Sequence, residues 1–423
     1  ISTWPKDFTW AKKRFMYPKW RDHRRQGVPL PLLIIVTRAR RGQVLPEAAP
    51  SVPEFRQKGE HMRWFIILAM VAGFLFGEAA EAKPIEPAQI PSLVKSLKIP
   101  SGQNFCGEPV PMKNGDVRER FEKAVLLALW NRPQVILWLK RAGRFLPHVE
   151  KMLKENGMPD DLKYVAVAES ALRPHAGSSR GAIGFWQFVR STGQRYGLTI
   201  NNRIDERRNL FASTRAAIRY FKALHEELGS WTLAAAAYNM GEKGLLGEIL
   251  AQDSMNYYDL YLPLETQHFL FRILAIKLIF SDPERYGFTL SAKDRYPLLS
   301  FDRVQLKCDR ETPIKLVAKA AKTRFKVIKD LNPEVRGHYL AEGDHELLIP
   351  KGSLRGFQKR FSRLLKAYAE NHKGRIYVVR PGDNLSTIAR SHNVPVTALF
   401  IWNRISPRDP IHPGQKLIVH PGN

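Results

Sequence analysis

Between residues 117 and 285 apolar positions return at helical intervals and nowhere alternate convincingly as in a half-buried strand. The spacing predicts helices within 121–129, 135–139, 145–153, 211–228, 233–238 and 265–280. Gly157-Met158-Pro159 breaks the pattern, and Asp160 and Asp161 follow where carboxylates favour a helix start. A helix is expected from about 160 to Glu169 or Ser170, running through the apolar stretch Tyr164-Val165-Ala166-Val167-Ala168. Residues 83–116, rich at first in Pro, Lys and Ser, read as a linker or extended arm.

The last third changes period and repeats itself. Offset by 71 residues, 304–350 falls on 375–421 without a gap. Ile314 meets Leu385, Ala318 meets Ala389, Leu331 meets Trp402, Asn332 meets Asn403 and Gly343 meets Gly414. Each copy reads as a strand, two short helices and a returning strand, expected in the second copy at 376–379, 385–391, 395–403 and 416–420. The basic stretch 352–373 between them has the pattern of an amphipathic helix. The expected fold class is α+β and multidomain. A mainly helical domain spans 117–290, a first βααβ module 298–350, a connecting helix 351–374 and a second βααβ module 375–421.

With 44% hydrophobic residues over 423 positions the chain can fill real cores, which excludes a disordered protein. A formal charge of +27 asks for an anionic partner: nucleic acid, anionic lipid or an acidic polymer. The N-terminal region narrows that choice. Met62-Arg63-Trp64 leads into twelve apolar residues, 65–76, and then Ala80-Glu81-Ala82, the pattern of a secretory signal over 62–82. The run is short of the ~20 residues of a membrane span. Residues 1–61 hold thirteen Lys/Arg against five Asp/Glu without periodicity. They read as a non-native or disordered basic leader, with translation expected to begin at Met62. An exported chain, in the periplasm or cell envelope, rarely meets nucleic acid, and no basic-aromatic module for it is present. The charge is read as attraction to the anionic wall or membrane surface, including peripheral or outer-membrane association. Cys106 and Cys308 could pair in an oxidising compartment. Their spacing fits no zinc site, and the twelve His form no His-Glu-x-x-His cluster, so no metal or cofactor is expected.

Chemistry concentrates after residue 168, in Glu169-Ser170, Ser178, and Gly184-Phe185-Trp186-Gln187-Phe188. A carboxyl ending an apolar helix is placed where desolvation raises its pKa, as a general acid at neutral pH requires. The Gly-rich turn lets backbone approach a ligand closely, and Ser178, Gln187 and the Trp186 indole offer polar and stacking contacts to a sugar.

These residues resemble the soluble lytic transglycosylase family. Its Glu-Ser pair is matched at 169–170, its Gly-x-x-Gln motif at Gly184 to Gln187, and its Ala-Tyr-Asn-x-Gly motif at Ala237-Tyr238-Asn239-Met240-Gly241. A Tyr-x-Leu-Pro-x-Glu-Thr type segment is similar to Tyr261-Leu262-Pro263-Leu264-Glu265-Thr266 and the residues before it. The run from Gly157 to Ser170 resembles the membrane-bound lytic murein transglycosylase D branch. The resemblance implies a goose-type lysozyme-like fold with Glu169 as the single acid/base, and with Ser178, Gln187, Tyr238 and Asn239 lining the substrate subsites. Tyr261 and Glu265 are further candidates, equally explained by packing where a helix begins. Phe185 and Met240 depart from the commoner family residues and should alter packing alone.

The implied reaction uses one carboxyl twice on the bond between N-acetylmuramic acid and N-acetylglucosamine. The acid protonates the glycosidic oxygen, and the carboxylate then takes the C6 hydroxyl proton to close a 1,6-anhydro ring. Ordinary glycosidases use two carboxylates, and none beyond Glu169 lies within the first three motifs, although Asp205, Glu206 or Glu265 could fold into the cleft. The second repeat is very similar to the lysin-motif domain, which binds N-acetylglucosamine-containing glycans. That resemblance implies a groove at Gly382, Asp383 and Leu385 on one side and Asn403 and Ile405 on the other. The first repeat has Glu311-Thr312 in place of Gly382-Asp383 and reads as a degenerate copy. The partner implied is the glycan strand of peptidoglycan. The rival readings are a hydrolytic muramidase or chitinase, and a non-catalytic wall-binding protein.

Overall fold

The structure, a computed structural model, describes residues 92–371 and 375–420. The leader and signal readings fall outside the described residues. Helices Gly115–Trp130 and Arg132–Glu155 meet at Asn131, which ends the first and caps the second by accepting from the Gln134 amide. The two stretches expected at 135–139 and 145–153 form one continuous helix despite Pro147. An interior proline costs about 3 kcal/mol. The buried stripe of Val135, Leu139, Leu146, Val149 and Leu153 outweighs it, at about 1.5–3 kcal/mol for each large side chain.

Past Pro159 the chain makes one 3-10 turn, Asp160–Leu162, and then the helix Lys163–Ser170. Asp161 does more than favour this start. Its carboxylate accepts from the Cys106 amide and from Lys277 Nζ, both at 2.7 Å, tying three segments together. The arm therefore differs from the expected linker from Asn104 onward. Asn104–Phe105 pairs with Glu108–Pro109 in a short hairpin, Phe105 is wholly buried, and Glu108 accepts from the amides of Trp231 and Thr232 at a helix start.

Helices Leu210–Leu228, Trp231–Met240, Glu242–Gln252 and Leu264–Ser281 complete the helical part. Leu264–Ser281 is apolar on most of its surface, as a helix enclosed by others must be. It packs against Gly115–Trp130, Lys163–Ser170 and Trp231–Met240. None of the described helices is long and apolar enough to cross a membrane. Cys106 and Cys308 are both free thiols, contrary to the pairing considered above. They belong to separate cores: Cys106 packs on the helical one and Cys308 is buried in the first repeat.

Both repeats form a two-stranded antiparallel ladder closed by two helices. Phe301–Cys308 pairs along its whole length with Gly343–Pro350, and Arg375–Val378 pairs with Lys416–His420 across a bulge. The helices are Ile314–Ala320 and Phe325–Leu331 in one, Leu385–Ser391 and Val396–Asn403 in the other. Their shared asparagine explains the repeat. Asn332 donates to the Ile328 and Leu348 carbonyls and accepts from the Leu348 amide. Asn403 makes the same three bonds to Leu399 and Ile418. Each side chain staples the second helix to the returning strand. Helix Phe357–Asn371 lays Phe357 and Phe361 on the first repeat's core, the amphipathic role its pattern indicated.

Asn332→Ala should strip a buried amide and carbonyl of their partner and cost roughly 2–4 kcal/mol, because each orphaned buried group costs about 1–3 kcal/mol. Urea denaturation followed by hydrogen exchange over 314–349 measures it.

Candidate active site

A cleft of about 500 Å³ is lined by Glu169, Ser178, Gln187, Tyr238, Asn239 and Glu265, with Tyr220, Met240 and Arg180 at its sides. It therefore gathers six of the seven catalytic-domain residues singled out from the sequence. Tyr261 is not among the lining residues; it is 80% exposed, and its backbone is held by Gln252.

Glu169 occupies the last turn of Lys163–Ser170, which stops because Ala171 and Leu172 both turn left-handed (φ 52° and 57°). The adjacent Ser170 is structural: its hydroxyl donates back to the Ala166 carbonyl, 3.0 Å away. Burial pushes the Glu169 carboxyl up to about 8; Arg272 opposes the rise and Glu265 adds to it. The negative end of its own helix acts in the same direction as burial. At neutral pH the group holds its proton.

The Gly-rich loop is fixed from beneath. Gln187 adopts a left-handed φ of 48°, and its Nε2 donates to the Gly184 and Ala176 carbonyls at 2.8 and 3.2 Å. That leaves its Oε1 as an acceptor. Ser178 Oγ accepts from the Ala182 amide at 3.1 Å, which frees its O–H to donate. Gly184 (φ 88°) lies against the Arg207 carbonyl so closely that a Cβ would stand 1.7 Å from that oxygen. Only glycine fits, which is the physical reason for the first residue of Gly-x-x-Gln. Tyr238 stacks on Phe221 with ring centroids 4.6 Å apart and donates to the Trp186 carbonyl at 2.6 Å. Burial and the nearby Glu169 raise its pKa, so the phenol stays neutral. Asn239 Oδ1 accepts from Thr266, so its amide N–H groups are left to donate.

Two expectations change, for Trp186 and for the acidic pair Asp205 and Glu206, while Glu265 enters the cleft as considered. Trp186 does not face a sugar: it is 1% exposed, and its indole N–H donates to Thr214. Asp205 is enclosed in a bidentate pair with Arg207 at 2.8 and 2.9 Å, and Glu206 accepts from the Thr199 amide, so neither lines the cleft. Glu265 does line it, as a second carboxylate on the Leu264–Ser281 helix. Residues missed in the sequence are Arg272, Tyr220 and Arg207. Each is brought in from a separate segment, and only the Asp205-Glu206-Arg207-Arg208 charge run, next to an otherwise buried helix, hinted at one of them.

In the second repeat Gly382 has a φ of 86°, and Asp383 accepts from Tyr377 Oη and the Arg380 amide, both at 2.7 Å. Leu385 and Ile405 pack on the small core. Asn403 is engaged by the backbone bonds already described. Among the described residues no group of three His, Cys, Asp or Glu could hold a metal ion.

A neutral carboxyl over a polar cleft in a helical domain, followed by a small βααβ module, defines a class: glycan-cleaving enzymes that carry a wall-binding module. The Transglycosylase SLT domain family matches residues 148–259 and the LysM domain family matches 377–420. The chain is 30% identical over 345 residues to membrane-bound lytic murein transglycosylase D of Escherichia coli K12, covering 75% of this chain and 72% of that protein. The same protein of Escherichia coli O6:H1 gives the same figures. The crystal structure of the 70 kDa soluble lytic transglycosylase of Escherichia coli matches at 15% identity over 47% of this chain and 34% of its own, with a TM-score of 0.30. The chain belongs to the lytic murein transglycosylase family.

Gly184→Ala should displace the loop or the turn at Arg207 and lower the unfolding free energy by roughly 2–4 kcal/mol, measured by chemical denaturation. Glu169→Gln should stabilise the fold more as pH rises. The folded carboxyl titrates above its unfolded value, so the wild type loses stability between about pH 4.5 and 8. Melting temperatures of the two proteins should agree near pH 4, diverge as pH rises from about 4.5 to 8, and stay apart by a constant amount above that. The reverse order would contradict the buried acid.

Proposed function

We propose that this chain cleaves the β-1,4 bond between N-acetylmuramic acid and N-acetylglucosamine of peptidoglycan without water, using Glu169 alone as acid and then base. The observation carrying this reading is that Glu169, one of the two carboxyls lining the cleft, is held protonated to about pH 8 by burial. Its proton goes to the glycosidic oxygen as the bond breaks. The substrate's acetamido oxygen shields the anomeric carbon, and the resulting carboxylate removes the C6 hydroxyl proton as that oxygen closes the 1,6-anhydro ring. The proton lost in the first step is recovered in the second, so the enzyme returns unchanged and no water is consumed. Ser178 and the Asn239 amide supply donors to the bound sugar, Gln187 Oε1 supplies an acceptor, and the Tyr238 hydroxyl oxygen keeps acceptor capacity toward the cleft.

The second repeat serves as the wall anchor through Gly382, Asp383, Leu385 and Ile405, with Asn403 shaping the groove from beneath. The name of the relative, membrane-bound, supports a place in the cell envelope. Export to the periplasm rests on the signal pattern at 62–82, and peripheral attachment on the positive charge. The hydrolytic alternative has one specific support, the presence of Glu265 in the same cleft.

Digestion of purified walls followed by mass spectrometry tests the reading. The wild type should release 1,6-anhydromuropeptides, and Glu169→Gln should lower the rate by about 10²–10⁴-fold, the usual worth of a positioned acid/base. Reducing ends instead of anhydro ends would establish hydrolysis. The rate should decline as pH rises through about 8, where the acid form is lost. Glu265→Gln should keep anhydro products with less than about a tenfold loss, because a carboxylate that merely tunes its neighbour is worth about one pKa unit. A loss as deep as that of Glu169→Gln would make Glu265 the second catalytic carboxylate.

A further inference from the structure

The first repeat carries the hydrophobic frame of the second but not its loops. In the 71-residue register, its residues 311–314 and 332–335 fall on 382–385 and 403–406, the two sides of the proposed glycan groove. In the first repeat those loops already have an occupant from the helical domain. Ile204 forms a β-bridge with Val335 and packs against the repeat's core. The Asp205 amide donates to the Glu334 carbonyl at 2.9 Å, and the Arg336 amide donates to the Arg203 carbonyl at 2.7 Å. Across the other loop Arg203 pairs with Glu311 at 2.5 Å. Residues 203–205 thus lie along one loop through an isolated β-bridge and reach the other through the Arg203 side chain.

The occupant leads directly to the cleft. Asp205, 1% exposed, holds the Arg207 guanidinium on two sides. The remaining guanidinium nitrogen, Nη1, donates to the carbonyls of Gly181 at 3.0 Å and Phe188 at 3.2 Å. Those two carbonyls bracket the loop of Gly184 and Gln187, and Gly184 itself rests on the Arg207 carbonyl. A planar guanidinium satisfied by four acceptors fixes the distance between the two ends of that loop, which a flexible ammonium would not.

We propose that the first repeat is an internal buttress of the active site: its two groove loops grip residues 203–205 in place of a glycan, and Asp205 and Arg207 transmit that grip to the loop bearing Ser178 and Gln187. Arg207 is then a positioning residue, and the loss of Gly-Asp at 311–312 reflects a loop whose Glu311 meets Arg203, and Arg404 of the second repeat, instead of a sugar. Only the activity readout below rests on the glycan-cleaving reading.

The test uses the full chain with Ile204→Asp, which sets a charge against the repeat's core, and Ile204→Val, which keeps the apolar contact. Hydrogen exchange and wall-digestion kinetics are read together. Ile204→Asp should speed exchange at 334–336 and at 178–188 and lower kcat at least fivefold with KM within twofold. Residues 210–228 and 314–331 should stay protected, and Ile204→Val should behave as wild type. Faster exchange at 334–336 with an unchanged loop and unchanged kcat would overturn the coupling. If Ile204→Asp loses protection over 210–228, Arg203→Gln, which removes the ion pair to Glu311 without setting a like charge against it, is read by the same criteria. Adding the tetramer of N-acetylglucosamine to the Glu169→Gln chain should leave exchange at 334–336 unchanged, and new protection there would overturn the buttress. A wild type inert on walls would sink the enzymatic reading and leave the exchange test intact.

Discussion

Withholding water from one carboxyl is the constraint around which the site is arranged. Glu169 sits at the negative end of a short helix, against the enclosed Leu264–Ser281 helix and beside a neutral phenol. Among the described residues Arg272 is the one cation acting appreciably on it, and it acts against the shift without cancelling it. The helix dipole contributes at most about 1 kcal/mol. A carboxyl displaced from 4.5 to about 8 needs several times that, at about 1.4 kcal/mol per unit, so desolvation dominates. A direct salt bridge would have reversed the sign and left a carboxylate unable to donate a proton.

The surrounding polar groups follow from the same economy. Ser178, Gln187, Tyr238 and Asn239 each have one hydrogen-bonding function satisfied by protein and another left over. Gln187 uses its N–H groups on backbone and keeps an acceptor, whereas Asn239 uses its oxygen and keeps donors. Such half-satisfied groups are rigid yet still able to bind, which a fully solvated side chain is not. The rigidity is borrowed from beneath, where the enclosed Asp205–Arg207 pair sets the loop ends. A buried ion pair of this kind often adds little net stability, because desolvation offsets its attraction. Its value here is geometric.

The two repeats share an interior and differ at the surface. Asn332 and Asn403 make the same three bonds, buried in the first copy and partly exposed in the second, so the frame is preserved by this hydrogen bonding while the loops are free to change. The first copy has its loops against the helical domain, whereas the second copy sets Arg404, in the loop after its second helix, against Glu311 and Tyr339 of the first.

Helical periodicity, the 71-residue repeat and the carboxyl at the end of an apolar stretch were written in local order, because each depends on neighbours within a few turns. The left-handed residues Ala171, Leu172 and Gln187 could not be read in that way, since tertiary packing alone imposes such conformations on non-glycine residues. The fate of Trp186, the free thiols and the ordered hairpin at Asn104–Pro109 depended on what lay across the fold. Glu265 and Asp205 look alike in sequence, as acidic residues outside the first three motifs. Only the folded chain sends one into the cleft and the other under Arg207, because charge pairing and burial are decided by groups distant along the chain.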